Sequence, residues 1–360
     1  MKKHKKILII VQRSNGDVFF SYSLIAYLKN FYENSKIDIL VNSDTKPVAN
    51  LFQNISNILE FSYKKYRQSP LSYTFSIIRK IFRSYDLSIN LTSSDRSVLF
   101  CALSSGNSIS VVESNNQKSW WKKILLKEYF FYNQNKHILE QTLFPLKILK
   151  IPYEPNLLCP KTNKKNNLRV QNKLHSLGIK KFIIFHPCAQ YSYKVYPKIA
   201  RDRLLENLSK LEIPIVITGG KSSLDLKIKE EIQQLKNVHD FIGEISIEEY
   251  IELSRLAMCY VGMDTLNMHI AASQNKNSFI ISGPTNMKIW APWSNPISNN
   301  TSLNSKRSKV FQANMDCVPC GRAGCDDMHG LSECLYRIDP LLIFNEIKNF
   351  IDINKTESQK

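Results

Sequence analysis

A chain of 360 residues is longer than one hydrophobic core usually supports, so two domains of ordinary size are expected. Hydrophobic residues make up 43% and aromatics 11% of it, enough apolar surface to offset the ordering entropy of folding, which excludes a disordered protein. The formal net charge is +18, with 22 Lys/Arg against 11 Asp/Glu in residues 1–160 and 27 against 20 in 161–360. That surplus either favours anionic partners, a phosphorylated glycolipid at a membrane face or nucleic acid, or reflects a Lys-rich composition.

The first six residues, Met-Lys-Lys-His-Lys-Lys, imitate a signal peptide, but the apolar run Ile7–Val11 stops at Gln12 and Arg13, too early for an h-region. No stretch approaches the roughly 20 apolar residues that cross a bilayer, so a cytoplasmic protein is expected, with any membrane association peripheral. Ile7–Val11 reads as a strand, Val18–Phe31 has helical spacing, and Ile37–Val41 is a second strand. Asp86–Leu91 follows as a strand, Arg96–Leu103 as a helix and Ile109–Val112 as a further strand. Such alternation predicts an α/β fold with parallel sheets covered by helices on both faces.

Residues 159–172 are polar and Lys/Asn-rich, beside prolines at 152, 155 and 160, which places a domain boundary there. The expected division is 1–160, 161–337 with a Cys-rich tail at 317–334, and 338–360 as a closing helix and frayed end. The second series predicts strands at Phe182–His186, Ile213–Thr218, Val238–Ile242, Met258–Gly262 and Ser278–Ser282. Asp339–Ile353 carries apolar positions at amphipathic spacing. Two α/β halves imply a ligand cleft facing the strand C-termini. Solenoid repeats, Gly-x-Gly-x-x-Gly and Walker loops are absent from the sequence.

Three strand ends carry chemistry. After the first strand, Gln12-Arg13-Ser14-Asn15-Gly16-Asp17 puts Asp17 at a helix N-terminus as an N-cap or a base, while Gly16 would allow a positive φ and close ligand approach. After Phe182–His186, the loop to Pro197 holds Lys194, either solvated or placed to meet a phosphate as a compact charge. After Met258–Gly262, Asp264 and Thr265 open a helix whose free N–H groups suit a diphosphate, with His269 one turn further. Alone, Asp17 reads first as an ordinary cap, Lys194 as a solvated surface charge, and Asp264 and Thr265 as a structural cap with His269 a core histidine. Cys317, Cys320, Cys325 and Cys334, spaced C-x2-C-x4-C-x8-C around His329, suggest a metal-type cluster before disulfides, although not at zinc-ribbon intervals. Cys101, Cys159, Cys188 and Cys259 are dispersed and read as small hydrophobes.

The ordered set resembles glycosyltransferase family 9, the heptosyltransferases of bacterial lipopolysaccharide synthesis. The resemblance runs through Ser14-Asn15-Gly16-Asp17, Asp86-Leu87-x-Ile89 with Arg96-Ser97, and His186-Pro187 to Lys194 and Pro197. It continues through Thr218-Gly219-Gly220, Gly243 with Ser246, Asp264-Thr265-x-x-Met268-His269-x-Ala271-Ala272, Gly283-Pro284-Thr285 with Trp290 and Pro292, and the Cys-rich tail. It implies a GT-B fold of two Rossmann-like domains facing each other across a cleft. It also implies inverting, metal-independent transfer of heptose from ADP-heptose to an inner-core sugar, with no required cofactor.

By that resemblance Asp17 is the general base and Lys194 the catalytic cation. Asp264, Thr265, Leu266, His269, Gly219, Gly220 and Gly283 bind the donor in the second domain, and Arg13, Ser14, Asn15 and Arg96 bind the acceptor in the first. The implied partners are a nucleotide sugar and an anionic lipid-linked oligosaccharide, met peripherally at the inner face of the inner membrane, and no nucleic acid. The tail is implied to be structural, with zinc on its four cysteines as the lesser possibility. Three positions depart from the family pattern. Leu266 replaces a usual Gly, Ser223 stands where an acid is usual with Asp225 nearby, and Glu244 replaces a common Lys; all three fall on the donor side and leave another nucleotide sugar open. Two other classes compete: a basic nucleic-acid-binding protein with a four-cysteine metal site, and an oxidoreductase, which would need the missing glycine fingerprint.

Overall fold

Five consecutive β-prone apolar residues, Ile7 to Val11, are wholly buried, and a strand covered on both faces is what such a run makes. They form β1 (Lys6–Val11) of the first of two units in the computed structural model, which describes residues 5–114, 116–295 and 307–357. The units are Met1–Lys161 and Thr162–Lys360. Residues 1–4, and 358–360 of the expected frayed end, lie outside the described residues.

In the first unit β1 is joined by β2 (Lys36–Asn42), β3 (Asn57–Phe61), β4 (Leu87–Asn90), β5 (Ser108–Val112) and β6 (Glu128–Phe131). They pair in parallel in the order β3-β2-β1-β4-β5-β6. The second unit holds β7 (Ile183–His186), β8 (Ile215–Ile217), β9 (Val238–Asp240), β10 (Cys259–Met263), β11 (Asn277–Ile281) and β12 (Ser308–Phe311). Its order is β12-β11-β10-β7-β8-β9, again all parallel. Read from the other end, that is the same 3-2-1-4-5-6 winding, the Rossmann order. Each sheet therefore has one point where strand order reverses, between β1 and β4 and between β7 and β10, and the strand C-termini at such a point are where open α/β sheets bind ligands.

The α/β class and parallel sheets agree with the alternation in the sequence. The first helix begins earlier than its periodicity suggests, at Asn15 (Asn15–Phe31), so Gly16 is helical and is not among the residues at positive φ. The closing helix, Pro340–Glu357, sends Ile343, Ile347 and Ile351 into the core of the second unit. Gly262 in β10 sits against β7: a Cβ there would lie 2.5 Å from the His186 carbonyl oxygen, so only glycine fits.

Candidate active site

In the first unit, Gln12 at the end of β1 donates its backbone N–H to Thr92 Oγ1 beyond β4 at 2.9 Å, tying together the strand ends at the reversal point. Ser14 takes the N-cap position of the Asn15–Phe31 helix with extended backbone. Asp17 is therefore not the N-cap but the third helical residue, the acid of a capping box. Its Oδ2 accepts from the Ser14 backbone N–H at 3.2 Å and from Ser14 Oγ at 2.6 Å, and its Oδ1 meets Arg13 Nε at 3.1 Å. The residue is 6% exposed. A carboxylate offers about four lone-pair sites; three are occupied here, leaving one on Oδ1. Arg13 also lies over the Tyr132 ring, 5.8 Å from its centroid. Ser14 is exposed, and Asn15 is half-buried in the first helical turn.

Arg96 opens the Asp95–Ser104 helix after β4, and its guanidinium is boxed by aromatic rings. It lies 4.1 Å from the Phe61 centroid and 5.1 Å from those of Tyr63 and Tyr66, and Nη2 donates to the Tyr63 hydroxyl at 2.9 Å. Nε is buried without a partner.

Sequence reasoning gives no role to Lys122, whose side chain is 1% exposed. Its Nζ reaches the Ser93 carbonyl at 2.7 Å, Glu113 Oε2 at 2.7 Å and Asp95 Oδ1 at 2.8 Å. Three donors on one ammonium meet three acceptors, which fastens the loop after β4 to the end of β5. Nothing local in Trp120-Trp121-Lys122-Lys123 marks one lysine as buried; the signal is the pair of acids at neighbouring strand ends.

In the second unit the reversal point between β7 and β10 is bridged by Lys194 and Asp264. Lys194 ends the single turn Ser192–Lys194 beyond β7, and Asp264 follows β10 directly. Lys194 Nζ stands 3.0 Å from Asp264 Oδ2, with the lysine 29% and the aspartate 8% exposed. Burial alone would raise the Asp264 pKa, but the Lys194 charge, the Thr285 hydroxyl and His269 together hold it below the usual carboxylate range. Burial likewise pulls Lys194 down, yet the Asp264 charge and hydrogen bond leave it raised, so both groups are charged at neutral pH.

Thr265 is the N-cap of the Leu266–Ser273 helix with no side-chain cap bond. Its buried Oγ1 makes no cap bond and lies beside the Tyr260 hydroxyl, whose own hydrogen goes to the Met263 carbonyl. Leu266, the departure from glycine, is not among the residues at positive φ, so the backbone there is accessible to any residue. His269 is buried one turn further, its ring tilted against Trp290.

Behind this pair lies a polar trio to which sequence reasoning gives no role. His186 Nδ1 contacts Thr218 Oγ1 at 2.9 Å and Asn267 Nδ2 at 3.2 Å, and burial lowers its pKa to about 4, keeping the ring neutral.

The three glycines expected at the donor each have a packing reason of their own. A Cβ on Gly219 would meet Cys188 Sγ at 2.5 Å, one on Gly220 the Asp225 carboxylate at 2.9 Å, and one on Gly283 the Leu335 side chain at 3.1 Å. Asp225, the acid near the vacant Ser223 position, is held in a capping box by Ser222 N and Oγ at 3.0 and 2.6 Å. Glu244 is paired with Lys173 and Lys229 at 2.5 and 3.4 Å.

The Cys-rich tail packs on both walls of the Lys194–Asp264 pair. His329 stacks on Tyr191 and tilts against Tyr193, both at 5.6 Å between centroids, and its carbonyl accepts from Ser192 Oγ at 2.8 Å, so the tail grips the turn that carries Lys194. Gly321 N donates to the Pro284 carbonyl at 2.9 Å, beside Thr285. Cys317, Cys320 and Cys325 are exposed and Cys334 is buried, and burial pushes the Cys334 thiol up to about 11. Among the described residues no group of three or more His, Cys, Asp or Glu is arranged to hold a metal ion. Of the dispersed cysteines, Cys101, Cys188 and Cys259 are buried and Cys159 is half-buried.

The family model of glycosyltransferase family 9 (heptosyltransferase) matches residues 74–318, more than half of the chain. The chain belongs to this family. It is 26% identical over 293 residues to lipopolysaccharide heptosyltransferase 3 of Escherichia coli, an alignment covering 79% of this chain and 85% of that one. Its fold is similar to that of a family 9 glycosyltransferase from Veillonella parvula, with a TM-score of 0.77, 15% identity and 96% of each chain covered. It is similar also to the ADP-heptose lipopolysaccharide heptosyltransferase II of E. coli, with a TM-score of 0.70, 16% identity, and 97% and 99% covered. This glycosyltransferase therefore has the GT-B fold of the heptosyltransferases, as its strand-end motifs imply. Among the described residues no helix is long and apolar enough to cross a membrane.

Proposed function

We propose that this family 9 glycosyltransferase moves heptose from ADP-heptose to an anionic, lipid-linked core oligosaccharide of lipopolysaccharide, with inversion and without a metal ion in the transfer step. The observation that carries the reading is the Lys194–Asp264 pair at the reversal point of the second sheet, beside Thr265 at a helix N-terminus. An ammonium has three donors. Lys194 spends one on Asp264 and keeps two for diphosphate oxygens, where negative charge grows as the glycosidic bond breaks. Asp264 holds that lysine in place and charged.

The reading gives the base role to Asp17. Its remaining Oδ1 lone pair takes the proton of the acceptor hydroxyl as the oxygen attacks the anomeric carbon, while Ser14 and Arg13 hold the carboxylate in one orientation. Attack from the face opposite the diphosphate inverts the centre. Arg13, Ser14, Asn15 and Arg96 are the proposed acceptor contacts, and the boxed guanidinium of Arg96 supports the first unit through its rings as much as through its charge. The cysteine tail, with or without a metal on its four thiols, is proposed to act structurally by holding the Lys194 turn. The acceptor is proposed to be met at the inner face of the inner membrane by a protein working peripherally from the cytoplasm.

Asp225 and Glu244 are engaged within the protein, so the adenine of the donor is assigned to neither carboxylate. Thermal unfolding with ADP, UDP and GDP tests the choice of adenine, since a ligand of the native state raises Tm by mass action. A larger rise with ADP is expected. A preference for UDP or GDP assigns another nucleotide sugar to the same site, and no rise with any of the three counts against a nucleotide donor.

A further inference from the structure

We propose that the helical face of the first unit built around Pro70–Ile81 docks on an anionic lipid bilayer, lying in the plane of its headgroups. This helix buries Ile77 and Ile81 against the core, as an amphipathic surface helix should. Its outward face is apolar as well. Leu71, Phe75 and Phe82 recur at spacings of four and seven residues, one stripe of a helix, and are 88%, 68% and 55% exposed. A continuous row of large side chains left in water is not what a helix needing only one partner retains.

The charge along this stretch of chain is of one sign. Residues 62–85 contain Lys64, Lys65, Arg67, Arg79, Lys80 and Arg83 and no Asp or Glu. All six are exposed. The same helical layer continues through Asp95–Ser104 to Asn116–Leu125, each helix packed on the next, and the last of them exposes Trp120 and Ile124. Basic residues flanking a row of Leu and Phe match the two halves of a bilayer surface, anionic headgroups outside and acyl chains beneath. A nucleic acid would satisfy the charges and could stack a base on Phe75, but would leave the aliphatic Leu71 and Ile124 in water.

The inference rests on the proposed function in giving a surface to its membrane-borne acceptor, but vesicle binding is read without donor or acceptor, so its failure leaves the transfer reaction standing. The full chain is sedimented with vesicles of phosphatidylglycerol and phosphatidylethanolamine, and with vesicles of phosphatidylcholine alone. Binding to the first and not the second is expected, falling as salt is raised. Leu71→Ser/Phe75→Ser/Phe82→Ser should weaken it by about tenfold or more, with unchanged Tm and an unchanged rate on a delipidated acceptor. Arg79→Glu/Lys80→Glu, which leaves the apolar stripe alone, should weaken it in the same direction. Wild-type binding by both variants, no binding by the wild-type chain, or binding to RNA but not to anionic vesicles would each overturn the proposal.

Discussion

Asp17→Asn should fold and should lose transfer by a factor of about 10² to 10⁴, the usual worth of a positioned general base. The amide keeps one carbonyl oxygen to accept from Ser14 N–H and Oγ, so the capping box that starts the Asn15–Phe31 helix survives. What disappears is the carboxylate's capacity to take a proton, together with the Arg13 ion pair. With Arg13 almost one-third exposed, that pair is worth no more than about 1 kcal/mol. Turnover and Tm measured on one preparation separate the roles. Asp17→Ala removes the box as well, so it should lose activity and about 0.5–2 kcal/mol of stability. If Asp17→Asn turns over at a rate near the wild type, Asp17 is only a helix cap.

Lys194→Ala should raise the KM for donor and lower kcat, because the lysine is assigned to the ground-state diphosphate and to the charge that grows on it. Loss of one preorganised donor to a developing anion costs about 10² to 10³ in kcat. The variant also leaves the Asp264 carboxylate, 8% exposed, facing the site with no cation. Breaking a fully buried pair costs about 3–5 kcal/mol; the partial exposure of Lys194 makes the cost here smaller. The double variant Lys194→Ala/Asp264→Asn isolates the two effects: removing the stranded negative charge should recover part of the donor affinity and none of the kcat. His329→Ala takes away the ring beneath Tyr191 and Tyr193, so it should move donor KM in the same direction by less, and His329→Phe should restore it. An unchanged rate for Lys194→Ala at limiting donor removes the lysine from the phosphate site.

The pair also sets a pH limit. Asp264 has a lowered pKa in the folded chain, so its contribution to stability is complete above the ordinary carboxylate value and is lost as pH falls through the lowered one.

Both sheets were legible because their central strands are apolar runs, as in β1, or short stretches alternating apolar and polar residues, as in Leu87-Ser88-Ile89-Asn90 of β4, and β1, β4, β7 and β10 lie within a residue or two of where those patterns stop. The edge strands β3 and β6 were not. Asn57–Phe61 is half-exposed, and Glu128–Phe131 has one buried residue of four, so neither carries a buried-strand pattern. Strand order is a long-range property that no local spacing encodes. Without it, Lys194 and Asp264 are two loop residues 70 positions apart rather than a pair at 3.0 Å. The same holds for Lys122, whose three acceptors are contributed by the ends of β4 and β5. Gly16 reads as a residue free to take a positive φ and is helical, because Ser14 rather than Asp17 caps the helix, and the close neighbours of Gly219 and Gly283, Cys188 and Leu335, are set by long-range packing that no local spacing shows.

The proposed transfer of heptose from ADP-heptose is tested most directly by its product. The purified chain, with a metal chelator present, is incubated with ADP-heptose and a delipidated core oligosaccharide, and ADP release and the anomeric configuration of the new linkage are followed by nuclear magnetic resonance. One glycosidic bond of inverted configuration should form for each ADP released, and Asp17→Asn should form almost none. A product that retains the donor configuration, turnover abolished by the chelator, or ADP release without a new glycosidic bond would contradict the account.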